Sequence, residues 1–546
     1  MEKQPRLLSS QLSLQNRVCD VTLNCVVLTW KERETTKKRV SGSFLGSSRA
    51  AGSHCVPVCE IIAVQETTEA CQSNDAGRWQ MVPQQPSESE QHAFTVSYVE
   101  RMRGHRWRCS EVTFHCTDWR LCQQWIQTIK EQLSQLTSRP KSLLVYINPY
   151  GGKQRGKWIY EHKVAPVFSR ASISTDVIVT ECANHARNHL KKEADLKKYD
   201  GVVCVGGDGM FSEILHGLIS RTQCDSGVDE NCAETLVPSA LRIGIIPAGS
   251  TDCICFATVG TNDPVTSALH IVIGDSQPMD VCSVHHNNTF LRYSVSLLGY
   301  GFFGDVLTDS ERKRWMGPAR YDISGVKTFL SHRYYEGTIS FLPAADIFGT
   351  PRDKIKCRSG CSVCQKQSTE KLTEEEREGS YGVWRVTRGK FLAINAASMS
   401  CACPRTPKGL SPAAHLADGT TDLILIRKCS RLDFLRHLLR HTNKDDQFDH
   451  TFVEVHRVQQ FRFTPKHWEG GSELDLCESK NRLFGQICRQ QPVCGCAPAH
   501  SSWNCDGEIL PQTTIHVRVH CQLIKLFARG IEEKTVFEDP YTLCAV

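Results

Sequence analysis

The stretch VVCVGGDGMFSEILHGLI, Val202 to Ile219, sets a glycine-rich turn with one aspartate between a wholly apolar run and an amphipathic one. Val202, Val203, Cys204 and Val205 are what a strand buried on both faces of a parallel sheet requires. Phe211, Ile214, Leu215, Leu218 and Ile219 recur at three- and four-residue spacing. That spacing predicts a helix with one stripe against the sheet, Glu213 and His216 pointing elsewhere. Gly206, Gly207 and Gly209 therefore occupy a strand-to-helix turn. In open α/β sheets ligands bind at such turns, because backbone N–H groups and the positive end of the helix dipole are presented there.

Two further turns of this kind lie nearby. INPYGGKQRGK (Ile147 to Lys157) and IPAGSTDC (Ile246 to Cys253) also place small residues directly after an apolar strand, so amides can approach an anion with no Cβ in the way. Strand-like runs at LLVYI (Leu143 to Ile147), VIVT (Val177 to Thr180), GVVCV (Gly201 to Val205) and RIGIIP (Arg242 to Pro247) alternate with helical patterns, which predicts a parallel sheet covered on both faces. An aspartate inside a glycine turn repels phosphate unless a divalent cation stands between them, or unless its role is to accept a proton from an attacking hydroxyl. Both roles belong to phosphoryl transfer. Lys153, Arg155 and Lys157 add positive charge after the first turn.

The flanking regions read differently. Up to about Ser138 the chain alternates polar loops with strand-like runs and then forms one helix, in which Cys122, Trp125, Ile126, Ile129 and Leu133 share a face. Strands closed by a helix with a central Trp resemble a pleckstrin-homology (PH) domain. In such a domain the cluster Lys31, Arg33, Lys37, Lys38 and Arg39 would meet a phosphoinositide headgroup; a solvated charge run is the alternative. Ser138 to Lys141 reads as a linker, with Pro140 halting the helix. Beyond about Val281 the chain is strand-rich again, at RYSVSLL (Arg292 to Leu298), GTISFL (Gly337 to Leu342), KFLAIN (Lys390 to Asn395), DLILIR (Asp422 to Arg427), FVEVHRV (Phe452 to Val458) and TIHVRVH (Thr514 to His520). The expected architecture is multidomain α/β plus β: a PH-like domain over 1–138, a parallel α/β nucleotide domain over 139–285, and a β-sandwich lobe over 286–546 with a mobile insertion near 344–379.

With 546 residues, several domains are expected. No apolar run approaches the roughly 18 to 20 residues that span a bilayer, and Met1 to Arg17 is polar, so a soluble intracellular protein is expected. The 28 cysteines are scattered through predicted strands and helices, which favours reduced thiols over a disulfide frame. A net charge of +6 is too small to imply nucleic acid. In CRSGCSVC (Cys357 to Cys364), Cys357, Cys361 and Cys364 lie close together, and Cys401 with Cys403 would complete a thiolate zinc site; reduced thiols packing the lobe are the favoured reading. In ILIRKCSRLDFLRHLLRH (Ile424 to His441), Leu425, Leu432 and Leu438 are spaced at 1, 8 and 14 among five basic residues, a pattern that fits calmodulin or, more plainly, a core strand followed by a surface helix.

NPYGG (Asn148 to Gly152), GGDG (Gly206 to Gly209), PAGST (Pro247 to Thr251) and DGE (Asp506 to Glu508) resemble the diacylglycerol kinase catalytic family, which includes the sphingosine and ceramide kinases. TECAN (Thr180 to Asn184), DVLTDSERKRWMGPARYD (Asp305 to Asp322) and the cysteine pattern resemble the ceramide branch. So does Thr251-Asp252-Cys253, which stands where the diglyceride and sphingosine kinases usually show an Asn. The resemblance implies ATP-dependent phosphorylation of the primary hydroxyl of ceramide, giving ceramide 1-phosphate and ADP, with Mg²⁺ as cofactor. It also implies Ca²⁺ responsiveness, in keeping with calmodulin as the partner that the basic amphipathic segment would take, and peripheral attachment to Golgi and plasma membranes carrying phosphoinositides is expected. Asp208 would be the proton acceptor. Asn148, Pro149, Tyr150, Thr180, Glu181, Cys182, Ala183, Asn184, Glu213, Ser250, Thr251, Arg314, Arg320, Asp506, Gly507 and Glu508 would bind ATP. Gly206, Gly207, Asp208, Gly209 and Asp305 would meet the lipid; no metal ligand is assigned. The rivals are a kinase for sphingosine or diacylglycerol, and a non-catalytic phosphoinositide-binding adaptor.

Overall fold

The computed structural model describes residues 7–33, 53–67, 92–231, 236–317, 319–345, 349–369, 383–443, 445–466 and 500–533. Four parallel strands form the heart of the α/β part: Ser142–Ile147, Ser174–Val179, Gly201–Gly206 and Arg242–Pro247. In space Ser174–Val179 is at the edge, then Ser142–Ile147, Gly201–Gly206 and Arg242–Pro247. The chain thus steps outward once and then returns across its first strand. The direction reverses between Ser142–Ile147 and Gly201–Gly206, and a crevice for ligands opens at the carboxyl ends of strands at such a switch point. NPYGG and GGDG leave from those two ends.

The last strand, Ile515–Phe527, joins the two catalytic lobes. It runs parallel to Arg242–Pro247 (Arg242 opposite Lys525) and antiparallel to Ser276–His286 and Val453–Pro465. The α/β sheet and the β-rich lobe therefore share one hydrogen-bonded sheet of fourteen strands. Inward-facing residues of the β-rich lobe, among them Tyr300, Ile339, Ile394, Leu425, Phe461, Phe463 and Trp503, make a single core. Leu425 is fully buried in the strand Thr421–Arg427, whereas Leu432 on the following helix is exposed, so the three spaced leucines do not share one face.

The N-terminal region is a seven-stranded antiparallel sheet closed by the helix Trp119–Ser134, whose N-terminus Asp118 caps by accepting the Leu121 N–H. Trp125 is fully buried and stacks on Phe94, as the helical spacing predicts. This domain is welded to the α/β part rather than tethered by a free linker. Trp107 stacks on His270 at 3.8 Å and donates its backbone N–H to Thr266 Oγ1. Ile62, Val99 and Trp107 share a core with Val145, Phe168 and Ile271.

Lys31 and Arg33 of the basic cluster are exposed, and Arg33 pairs with Asp20; Lys37, Lys38 and Arg39 lie outside the described residues. Of the span 344–379, residues 344–345 and 349–369 are described. Residues 349–369 carry the helix Ser362–Thr369 and dock on the C-terminal segment, Ser359 N–H donating to Ile531 O. Cys401 and Cys403 do not join the cysteine triplet: Cys401 Sγ donates to Ser296 O at 3.3 Å and Cys403 Sγ meets Thr406 Oγ1 at 3.1 Å.

Candidate active site

Parallel register lines up the three turns. Gly206 faces Pro247, and Val205 faces Ile147, so Asn148, Gly206 and Pro247 end their strands side by side. Their glycines are required by contact between the turns. A Cβ on Gly152 (φ +56°) would stand 2.5 Å from Ala248 O, and one on Gly249 would stand 2.5 Å from Gly207 Cα. Cross-links fix the arrangement: Asn148 N–H donates to Val205 O, Ala248 N–H to Gly206 O, and Asn148 Oδ1 accepts the N–H groups of Tyr150 and Gly151.

Asp208 opens the helix Asp208–Asp225. Its carboxylate accepts the N–H of Cys253 at 3.0 Å and of Ile254 at 3.0 Å, the first residues of the helix Cys253–Val259, so the second and third turns are joined through it. Burial raises its proton affinity above that of an ordinary aspartate; the two N–H bonds oppose this and Asp506 adds to it. Asp252, in the left-handed region at φ +51°, accepts the Gly249 N–H at 2.9 Å, and burial pushes its carboxyl up to about 7. Burial likewise raises Glu213, which accepts backbone N–H groups of Asn184 and Ala186 while its Oε2 is buried with no hydrogen-bond partner among the described residues. Three carboxyl groups of one crevice thus hold protons more tightly than usual, burial being the leading cause at each.

Glu213 also locates Thr180 to Asn184. Thr180 N–H donates to Ile147 O at 2.9 Å, and Asn184, at φ +61°, begins the helix His185–Lys192, so this segment lies between the first turn and Glu213; Glu181, Cys182 and Ala183 are exposed. Asp506 accepts Val295 N–H, Ser296 N–H, Leu297 N–H and the hydroxyls of Ser294 and Ser296, which orders the loop between two strands. Gly507 takes φ +89°, and Glu508 pairs with Arg292 at 3.1 Å. Arg292 also donates to Ser212 Oγ, one helical turn beyond Asp208, and so couples Asp506–Glu508 to the GGDG helix. Nothing local in RYSVSLL distinguishes this arginine, and sequence reasoning missed it, as it missed the role of Asp252. His216 completes the attachment: Nδ1–H donates to Ser212 O, Nε2 accepts Tyr293 N–H, and burial holds the imidazole neutral with its pKa down at about 3.

Other sequence candidates lie apart. Arg314 and Arg320 converge on Glu311, and no hydrogen bond or ion pair among the described residues links either to the three turns. The two oxygens of Asp305 accept the hydroxyls of Ser501 and Tyr335. Lys153, Arg155 and Lys157 are exposed on the first turn. Ser250 and Thr251 are exposed at the mouth of the third.

Comparisons with known proteins agree along the chain. Residues 8–129 match the ceramide kinase PH domain family, residues 142–284 the diacylglycerol kinase catalytic domain, and residues 296–545 the ceramide kinase C-terminal domain. Ceramide kinase from Homo sapiens is 61% identical over 487 residues, covering 88% of this chain and 89% of the relative. Ceramide kinase from Mus musculus is 56% identical over 540 residues, covering 97% and 98%. A crystal structure of a diacylglycerol kinase from Bacillus anthracis str. Sterne aligns at 12% identity with a TM-score of 0.42, over 71% of this chain and 97% of that chain.

Proposed function

The chain belongs to the ceramide kinase family, and from that premise we propose that it transfers the γ-phosphoryl group of ATP to the primary hydroxyl of ceramide in the crevice between the three turns, with Asp208 as proton acceptor. The observation that carries this reading is the placement of Asp208: first residue of a helix, at the topological switch point, its carboxylate aimed by two amides of the neighbouring turn. A carboxylate with raised proton affinity takes a hydroxyl proton more readily than a solvated one. Asp208 and Gly209 open the helix where backbone N–H groups have no partner in a preceding turn, and those groups face developing phosphoryl charge. The exposed Ser250 and Thr251 amides and the Asn148 to Gly152 turn flank the same space, so ATP enters along the first and third turns and lipid meets Gly206 to Gly209.

Asp208, Asp252 and Glu213 do not converge on one point as a ready cation cage, so Mg²⁺ would arrive bound to the nucleotide phosphates, with a single crevice carboxylate such as Asp208 beside it, and would supply charge neutralisation there. Arg292 holds Glu508 and Ser212 together and keeps the GGDG helix aligned with the β-rich lobe.

The substrate is a membrane lipid, and no helix among the described residues is long and apolar enough to cross a bilayer. Peripheral attachment is the corresponding proposal, at Golgi and plasma membranes as the resemblance implies. Support comes from the PH domain and from two helices that leave Ile323, Val326 and Leu330, and Leu432, Leu435 and Leu439, exposed beside basic side chains. Ca²⁺ control through calmodulin requires the strand Thr421–Arg427 to open, because Leu425 is in its core. The direct test presents the purified full chain with γ-labelled ATP and ceramide, sphingosine or diacylglycerol in mixed micelles. Dominant labelling of ceramide is expected; faster labelling of either other lipid overturns the substrate assignment.

A further inference from the structure

Outside the crevice, one cluster of side chains stands in an arrangement that packing alone does not require. Cys357, Cys361, Cys364 and His415 bring one ligand atom each to within 4.8 Å of all the others. Cys357 Sγ lies 3.8 Å from Cys364 Sγ, and Cys361 Sγ lies 3.3 Å from His415 Nδ1. A tetrahedral ion with Zn–S of about 2.3 Å and Zn–N of about 2.0 Å spaces its sulfur ligands about 3.8 Å apart and a sulfur–nitrogen pair about 3.5 Å apart. The Cys357–Cys364 and Cys361–His415 separations match two edges of that tetrahedron to within about 0.2 Å. They are far longer than a disulfide bond of about 2.05 Å.

We propose that these four residues bind one structural zinc ion. Three thiolates and an imidazole select zinc over magnesium or calcium, and four protein ligands close the coordination shell, which distinguishes a bracing site from a catalytic one. Cys364 and His415 are 4% and 2% exposed, so half of the donor set lies in the interior. Lys356 and Arg358 flank Cys357 and offset the net negative charge of three thiolates on a dication. The triplet and the histidine come from distant parts of the chain. The sequence spacing revealed the triplet, while only the fold supplies His415, in place of the cysteines at 401 and 403.

The position gives the ion a task. Gln522, on the C-terminal strand, donates through Nε2 to both Cys364 O and Ala417 O, and Leu416 O accepts Asp280 N–H, so the ligands sit where three segments of the β-rich lobe and the shared sheet meet. The loop that bears His415 begins near Cys401, whose thiol is hydrogen-bonded with that of Cys253, and the Cys253 N–H holds Asp208. Zinc would thus brace the wall behind the third turn.

Metal analysis of the full chain, purified without chelator, should find about one zinc per chain. Chelation should release it and lower the melting temperature, and added zinc should restore both. His415→Ala should lose the metal, whereas His415→Cys, which rebuilds a four-thiolate site, should keep it; this contrast separates ligation from a folding defect. A metal-free chain whose melting is indifferent to zinc overturns the proposal. So does a Cys357–Cys364 disulfide seen by mass spectrometry, or a His415→Ala chain as zinc-loaded as its parent. Should His415→Ala prove insoluble, the parent's zinc content and its response to chelator still decide.

Discussion

Two clusters of acids in this molecule are built from the same residue types and are electrostatic opposites. At the junction of the PH domain with the α/β part, Glu60 is 1% exposed, yet its carboxyl is held below the usual range: burial pushes it up, and hydrogen bonds and charge from Arg101 and Arg529 outweigh that. Arg101 donates to both oxygens of Glu60 and to Glu532, and Arg529 to Glu60 and Asp275. Every charge there has a partner. In the crevice, burial of Asp208, Asp252 and Glu213 is opposed by backbone N–H groups and, at Glu213, by His185, with no arginine or lysine pairing them among the described residues, and all three carboxyls are raised. A buried acid beside arginines stabilises an interface; a buried acid without them stores a demand for a cation or a proton, which is what a kinase site needs.

The sharpest break of this contrast is Asp208→Asn. The amide keeps the size and one of the two bonds to Cys253 and Ile254, removes a buried charge, and cannot accept the hydroxyl proton. Turnover of ceramide should fall about 10² to 10⁴-fold, while melting changes little. Near-normal turnover in a folded variant removes Asp208 from the proton-acceptor role.

At the balanced cluster the same kind of change should act on stability instead. Arg529→Met leaves Glu60 buried with one arginine fewer, and breaking a buried pair in this way typically costs about 3–5 kcal/mol. Urea unfolding should show that loss, with turnover at low temperature close to the parent's. Its pH dependence has a definite sign. Glu60 and Glu532 are depressed, so their stabilisation is present above the ordinary glutamate value of 4.5 and is lost as pH falls through their lower folded values. The shared core also means that deleting residues 1–138 uncovers Val145, Phe168 and Ile271, so the truncated chain should bind ATP weakly, against the simple picture of a detachable targeting module.

That picture came from Pro140 and a change of pattern, and it shows where sequence reading stops. The strands, the three turns and the helix after GGDG were legible because period and glycine placement are local. The face of the closing helix around Trp125 was legible for the same reason. The partners of Asp208, the Arg292 bridge, His415 beside the cysteines and the Trp107–His270 stack depend on which distant segments meet, and no spacing encodes that. The last strand was readable as a strand, but not as a neighbour of Arg242–Pro247.

A subtler probe uses Asp252. Its folded value of about 7 lies above the ordinary 3.8, so the folded chain keeps a proton that the unfolded chain releases. Stability should therefore decline as pH rises from about 4 to 7 and be flat above that, the opposite of the Glu60 cluster. Asp252→Asn places an amide that tolerates the left-handed backbone and still accepts from Gly249. It should abolish the decline, leaving the variant on the order of 4 kcal/mol more stable than the parent at pH 8. Parallel pH dependences for parent and variant would show that Asp252 is ionised at no cost, and the contrast between the clusters would then rest on Asp208 and Glu213.

The smallest expected effect concerns a third, intermediate arrangement. Arg314, with a side chain 74% exposed, and Arg320, at 17%, both pair with Glu311, so one acid restrains two arginines near the surface. The pair made by the exposed Arg314 contributes about 0–1 kcal/mol, little enough for a nucleotide triphosphate to draw its guanidinium group away, while the half-buried Arg320 is held more firmly. If they do bind ATP, Arg314→Ala should raise KM for ATP about three- to tenfold, with KM for ceramide unchanged, because the lipid carries no phosphate before transfer. Glu311→Gln makes the opposite prediction: it releases both arginines and should lower KM for ATP. A packing role predicts otherwise, since loss of Glu311 would then loosen the segment and raise KM for both substrates together. Measuring the two Michaelis constants for both variants therefore decides whether Glu311 is a placeholder for nucleotide phosphate or simply one more balanced acid.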